Sequence, residues 1–274
     1  MPFARNGETN IWYEVFGEGT PVILLMGVGG SRRAWWERFP ELLARRHQVV
    51  LIDNRGTGKS SKPARPWTMA DMAADVHAVV RDLALGSFHL AGCSLGSIIA
   101  RHYVANWGGE RLRSLALLCP PNGVPASEED RNAALFWDRS RPLIESARKS
   151  WPVIHPADWV AANEELLVRK FEESLREPTP ARTFRFQLDA AQAAGFANEA
   201  VNRYAWPVLV LHGTADRLVP PANAIEVAKA IPRAQVVWLE GASHNFWCHA
   251  PDESASVLND FFARADAAAG VRYR

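Results

Sequence analysis

Read for its apolar and polar positions, the chain alternates between two kinds of segment. Continuous apolar runs at 21–26, 48–52, 88–91, 114–118, 207–212 and 235–239 have the character of strands buried on both faces of a parallel sheet. The stretch 11–16 alternates apolar with polar and reads as an edge strand closed by Gly17-Glu18-Gly19. Helical periodicity fills the intervals. Met69, Met72, Val76, Val79, Val80 and Leu83 repeat with a 3.6 period after a capping Thr68. Ile98, Ile99, His102 and Tyr103 mark a face of the next helix, 222–230 another, and Val257, Leu258, Phe261 and Phe262 a last one with Pro251 at its start. Strands alternating with helices predict an α/β fold, a parallel sheet with helices on both faces.

Between 122 and about 201 the alternation stops. Charged, Trp-containing helical stretches at 130–149, 156–175 and 181–194, divided by Pro152, Pro156, Pro178 and Pro180, read as a helical insertion laid over the domain. The expected organisation is therefore a core in two parts, 1–121 and 202–274, with a helical cap at 122–201.

Composition narrows the function. At 274 residues one α/β domain with an insertion fits the length, and a formal net charge of +1 with mixed signs leaves no basic face for nucleic acid. Cys93, Cys119 and Cys248 are too few for a disulfide framework and read as buried reduced thiols. No apolar leader opens the chain and no apolar run approaches a membrane span, so a cytoplasmic protein without membrane contact is expected. Gly58-Lys59-Ser60 imitates the end of a phosphate-binding loop. That motif needs glycine at position 53, which is aspartate, and a helix starting at once, which Pro63 and Pro66 prevent.

The strongest chemical signal is Gly92-Cys93-Ser94-Leu95-Gly96, placed between a predicted strand and a predicted helix. In that context Gly-x-Ser-x-Gly forms a nucleophile elbow: a strained turn that lifts the serine clear of the sheet and needs small residues on both sides. A serine nucleophile requires a base and an acid to orient it. Such residues gather at the carboxyl ends of strands, where Asp216 follows 207–212 and His244 follows 235–239. The order Ser94, Asp216, His244 is that of the α/β-hydrolase arrangement. His249 competes with His244 but sits beside a helix start and reads as structural, while His212 and Asp53 shape loops. His47, His77, His89, His102 and His155 show no metal-ligand spacing, so neither metal nor cofactor is expected.

Five stretches, 25–30, 53–60, 92–96, 211–219 and 241–244, together resemble the α/β-hydrolase fold superfamily, in particular its capped esterase- and lactonase-like branch. The resemblance implies an eight-stranded, mostly parallel sheet with a helical cap inserted after the sixth strand. It implies that His244 deprotonates Ser94, that Asp216 orients His244, and that the backbone N–H groups of Val28 and Leu95 form the oxyanion hole. Met26 stands where relatives usually have histidine, and Ser97 where many have glycine.

The insertion carries Phe136, Trp137, Trp151, Trp159 and Phe171, with Trp35, Trp36 and Trp247 expected near the mouth; Trp35, Trp137, Trp151, Trp159 and Trp247 are the pocket candidates. An apolar pocket of this kind suits an aromatic, cyclic or acyl group, and no Arg or Lys cluster marks a phosphorylated substrate, although Arg139, Arg141 and Arg182 lie in the insertion. The expected function is hydrolysis of a small, largely apolar carboxylic ester or lactone through an acyl-enzyme on Ser94. The alternatives are a carbon–carbon bond hydrolase of ring-cleavage products, or a ligand-binding receptor that retains the triad. Haloalkane dehalogenases and epoxide hydrolases carry aspartate at the position of Ser94, and proline iminopeptidases carry tryptophan at that of Leu95.

Overall fold

The apolar runs join one sheet, because parallel neighbours can be linked only by crossovers long enough to hold a helix. A computed structural model describes residues 2–135 and 142–270. The chain begins with the antiparallel pair β1 (Phe3–Asn6) and β2 (Thr9–Phe16). β3 (Pro21–Leu25) leads through a 3-10 turn (Arg32–Trp35) and α1 (Arg38–Ala44) to β4 (Gln48–Ile52). Next come α2 (Met69–Asp82), β5 (Phe88–Cys93), α3 (Leu95–Trp107) and β6 (Leu112–Leu118). A helical segment follows: α4 (Glu128–Leu135), α5 (Leu143–Ile154), α6 (Ala157–Ala162), α7 (Glu164–Ser174), α8 (Ala181–Ala194) and α9 (Asn198–Val201). The sheet then resumes with β7 (Val208–Gly213), α10 (Ala222–Ala230) and β8 (Ala234–Leu239), before α11 (Phe246–His249) and α12 (Pro251–Ala268).

The sheet order is β1-β2-β4-β3-β5-β6-β7-β8, parallel from β4 to β8. One expectation is corrected here. The stretch 11–16 is not an edge strand: it belongs to β2, which pairs with both β1 and β4. The edge is the four-residue β1, in which only Ala4 is buried, too short an apolar signal to read.

Alternate strand residues face opposite sides, so Ile23 and Leu25 pack with α2 and α3 while Val22 and Leu24 pack with α1 and α12. Thr68 caps α2 as expected: its Oγ1 accepts from Asp71 N–H (3.1 Å), and Asp71 Oδ2 accepts from Thr68 N–H (2.8 Å). Pro40 falls in the first turn of α1, where backbone N–H groups need no helical partner.

Within the helical segment, Ala147, Trp151 and Leu167 form a small apolar cluster of their own. Phe186, Ala190, Ala200 and Val201 instead join the main core, so α8 and α9 are seated on α2 and α3. Buried Arg101 of α3 ties the two layers, donating to Asn198 Oδ1 (2.7 Å) and Pro121 O (3.0 Å). The break expected at Pro152 also moves: Pro152 lies inside α5, and the helix ends at Ile154 with His155 as its C-cap. His155 precedes Pro156 and is extended (φ −135°, ψ 156°), the conformation a following proline ring favours.

Candidate active site

Ser94 stands at the end of β5 with φ 50° and ψ −119°, a conformation costly for a residue with a Cβ. The glycines on either side make it attainable. A Cβ on Gly92 would lie 2.2 Å from Gly96 O, and one on Gly96 would lie 2.1 Å from Leu25 O. Neither backbone oxygen has room to retreat, so strand, turn and helix close up only around two glycines. Ser94 N–H donates to Leu118 O (2.9 Å), which fixes the turn against the end of β6. Ser97 Oγ donates to Ser94 O (2.6 Å), so the residue replacing a common glycine adds a hydrogen bond to the elbow.

Asp216 and His244 come from neighbouring loops after β7 and β8. Gly213 lets these loops meet, because a Cβ there would lie 2.2 Å from Ala242 O. Ala215 N–H donates to Ala242 O (2.9 Å), and Gly241 N–H to Thr214 Oγ1 (2.8 Å). Across this seam His244 Nδ1 lies 2.7 Å from Asp216 Oδ2. Asp216 Oδ1 accepts from the N–H groups of Leu218 (2.9 Å) and Val219 (2.8 Å), while His212 Nε2 lies 3.5 Å from Oδ2 and 2.8 Å from Val219 O. Burial by itself would raise the Asp216 carboxyl. The charge of His244 and the hydrogen bonds from His212 and His244 outweigh it and hold the group at about 2. A carboxylate on Nδ1 places the ring proton there and leaves the Nε2 lone pair free.

That Nε2 lies 3.9 Å from Cys119 Sγ, the residue after β6. Among the described residues Ser94 Oγ makes no hydrogen bond to His244. Cys119 was expected only as a buried thiol. Burial pushes its thiol well up, so it presents S–H rather than thiolate to the ring. Its proximity to His244 spans 125 positions of sequence and had no local signal.

The loop after β3 completes the site. Asn54 Nδ2 donates to Met26 O (2.8 Å), Gly29 N–H donates to Gln187 Oε1 (2.7 Å), and Thr179 Oγ1 donates to Gly29 O (2.9 Å). Residues of the helical segment thus hold the loop from above. Met26, in the place of the usual histidine, is buried with its sulfur 3.4 Å from Cys93 Sγ. A Cβ on Gly27 would lie 3.2 Å from Ser94 Cβ, so this loop passes directly beside the elbow. Neither Val28 nor Leu95 N–H donates to another group among the described residues outside the regular ladders.

The pocket candidates separate. Trp35 is fully buried, stacked on Phe39 and against Trp247, so it belongs to the core and not to a pocket. Trp247 donates from Nε1 to Ala34 O (2.8 Å), with its ring centroid 6.4 Å from that of His244. Trp151 is buried in the small cluster of the helical segment. Trp159 is half-buried and stacks on His155 (5.1 Å between centroids). Phe136, Trp137, Arg139 and Arg141 lie outside the described residues. A cleft of about 530 Å³ lined by Trp12, Glu14, Arg32, Trp36 and Lys59, among others, contains none of Ser94, Asp216 and His244.

Among the described residues, two groups of buried side chains bring three ligand atoms within 4.8 Å, Cys119/Asp216/His244 and His47/His89/Asp266. In the first, Asp216 Oδ2 and His244 Nδ1 already satisfy each other, and the thiol is held protonated. In the second, Arg113 Nη1 at 3.3 Å brings a cation to Asp266.

The family model for the alpha/beta hydrolase fold matches residues 20–247. The RutD protein of Azorhizobium caulinodans, named as a carbamate hydrolase, is 29% identical over 97% of this chain and 100% of its own. The enol-lactonase from Burkholderia xenovorans LB400 superposes with a TM-score of 0.80 at 22% identity, covering 96% of this chain and 100% of its own. The meta-cleavage product hydrolase CumD from Pseudomonas fluorescens IP01 superposes with a TM-score of 0.81 at 19% identity, covering 96% and 97%. Among the described residues no helix is long and apolar enough to cross a membrane. With its eight-stranded sheet, strained Ser94 at the end of β5 and family match across most of its length, the chain belongs to the alpha/beta hydrolase fold family.

Proposed function

We propose that the protein is a serine hydrolase acting on a small, largely apolar carboxylic ester or lactone. The observation that carries this reading is a serine held at φ 50° at the end of β5, with an aspartate-oriented histidine whose Nε2 lies 3.9 Å from Cys119 Sγ, the residue after the neighbouring strand β6. His244 Nε2 takes the Ser94 proton as Oγ bonds to the carbonyl carbon. The resulting oxyanion is held by the N–H groups of Val28 and Leu95, the latter at the N-terminus of α3 where the helix dipole favours negative charge. The imidazolium, stabilised by Asp216, returns the proton to the departing alkoxide, leaving an acyl group on Ser94. Water, deprotonated by His244, then releases the carboxylic acid. Residues 122–201 act as a cap that shapes the pocket, and their grip on Gly29 through Gln187 and Thr179 supports that role. The names of the relatives, a carbamate hydrolase and an enol-lactonase, agree with carbonyl attack at an ester-like centre.

The test is a fluorophosphonate probe with adduct mapping by mass spectrometry. Label confined to Ser94, absent in Ser94→Ala, is expected; folded protein that takes no label would overturn the reading. A panel of esters, lactones and diketones then separates ester cleavage from carbon–carbon cleavage.

A further inference from the structure

Beside the catalytic loop lies a pair of histidines that the mechanism does not use. Ser243 N–H donates to His249 Nε2 (3.2 Å), so that nitrogen carries the lone pair and a neutral His249 holds its proton on Nδ1. That proton faces His155 Nδ1, 3.4 Å away. His155 Nδ1 is therefore the acceptor, and a neutral His155 holds its proton on Nε2. Both rings are kept neutral by burial, and a proton on His249 or His244 would further oppose protonation of His155. The hydrogen bond from a backbone amide thus dictates, two rings away, which nitrogen of His155 is a donor.

His155 is 3% exposed, and its Nε2 has no hydrogen-bond partner among the described residues. Its two aromatic neighbours, Trp159 and Trp36, are both half-buried, so the ring lies close to accessible surface. The ring stacks on Trp159 (5.1 Å, 29°) and lies tilted against Trp36 (6.1 Å, 34°). Its backbone is pinned next to the base, because Asn245 N–H donates to Ile154 O (2.9 Å). An unspent N–H beside two indoles that also lie 6.1 Å from each other, one residue from a hydrogen bond that borders His244, has the form of a recognition site for an oxygen acceptor within an apolar ligand.

We propose that His155 is a specificity-determining residue whose Nε2–H selects substrates carrying a second oxygen acceptor, such as a ketone, a few atoms from the scissile carbonyl. This rests on the serine-hydrolase reading. A neutral donor suits the position: an imidazolium there would oppose the positive charge that forms on His244 during the reaction.

The test compares p-nitrophenyl 4-oxopentanoate with p-nitrophenyl pentanoate, which differ by one carbonyl. The wild-type enzyme is expected to prefer the keto ester about fivefold in kcat/KM, the worth of one neutral hydrogen bond, with the difference mostly in KM. His155→Phe should bring the two substrates within twofold, and His155→Gln, which keeps a donor, should retain part of the preference. A second arm needs no turnover. In ¹⁵N-labelled Ser94→Ala protein, His155 should titrate as the Nε2–H tautomer and His249 as Nδ1–H. Ethyl 4-oxopentanoate, but not ethyl pentanoate, should shift the His155 Nε2–H resonance. An Nδ1–H tautomer at His155, equal wild-type rates on the two esters, or an undiminished preference in His155→Phe would overturn the proposal. Failure of the serine reading looks different: neither ester is turned over, or Ser94→Ala hydrolyses both, while the resonance arm still reports on His155.

Discussion

Asp216 Oδ2 and His244 Nδ1 lie 2.7 Å apart, and the same carboxylate is held through Oδ1 by two backbone N–H groups. The aspartate is thus held independently of the histidine, and its orientation sets the tautomer of the proposed base. Asp216→Asn keeps the shape but offers Nδ1 an amide that can donate, which turns the ring's lone pair the wrong way. Turnover of p-nitrophenyl butyrate should fall about 10⁴-fold, as in the Ser-His-Asp triad generally, with the circular dichroism spectrum unchanged. A loss below tenfold would show that another group orients His244.

Gln187 grips the loop beside the elbow: its Oε1 accepts from Gly29 N–H at 2.7 Å, and its Nε2 donates to Arg55 O at 3.3 Å. Gln187→Leu preserves volume and leaves the part-buried Gly29 amide without its acceptor, at a cost of about 1 kcal/mol. Activity should fall about tenfold or more through kcat, because the loop amide beside Gly29 is the proposed oxyanion donor. An effect confined to KM would assign Gln187 to substrate contact instead.

Gly96→Ala would place a Cβ 2.1 Å from Leu25 O, while Gly86→Ala meets nothing within 4 Å. The first should lower the melting temperature by several degrees, corresponding to overpacking of about 1–3 kcal/mol, and remove activity with it. The second should leave both within error, which a thermal melt of the two variants checks.

Burial pushes His47 and His249 down to about 4 and His155 to about 3, with the charge of His89 adding to the effect at His47 and Asp158 opposing it at His249. Because these folded values lie below the ordinary 6.5, the unfolded chain binds more protons between about pH 4 and 6.5. Stability should therefore fall as pH drops through that window, by up to about 1.4 kcal/mol per pH unit for each histidine, and level off above about pH 7. Asp216 acts in another range. Its lowered value supplies stability that is present above about pH 4 and lost as pH falls through about 2. Urea unfolding from pH 4.5 to 7.5 measures the slope, and His249→Gln should make it shallower.

Much of this architecture was legible in the linear chain. Continuous apolar runs marked β3 through β8, and the 3.6-residue spacing with Thr68 marked α2 and its start. The elbow at Ser94 could be read because its requirement, glycine two positions away on each side, is local. Asp216 and His244 were recognisable as strand-end residues, and the structure brings those two together. The helix ending at Ile154, just before the extended His155-Pro156 step and not at Pro152, was less legible, since proline acts most strongly on the residue before it.

By itself the sequence determined the alternation of strands and helices, the place where a serine must adopt a strained turn, and the break in pattern after β6. Each of these depends on residues a few positions apart, where backbone geometry converts spacing directly into shape. Only the tertiary structure decided that β1 and not β2 forms the edge, that Trp35 is core, and that Cys119 borders His244. It also decided that His155 and His249 meet across 94 positions. Those outcomes depend on strand register and on how the helical segment seats against the sheet. They are sums over many distant contacts, and no short stretch of sequence contains them.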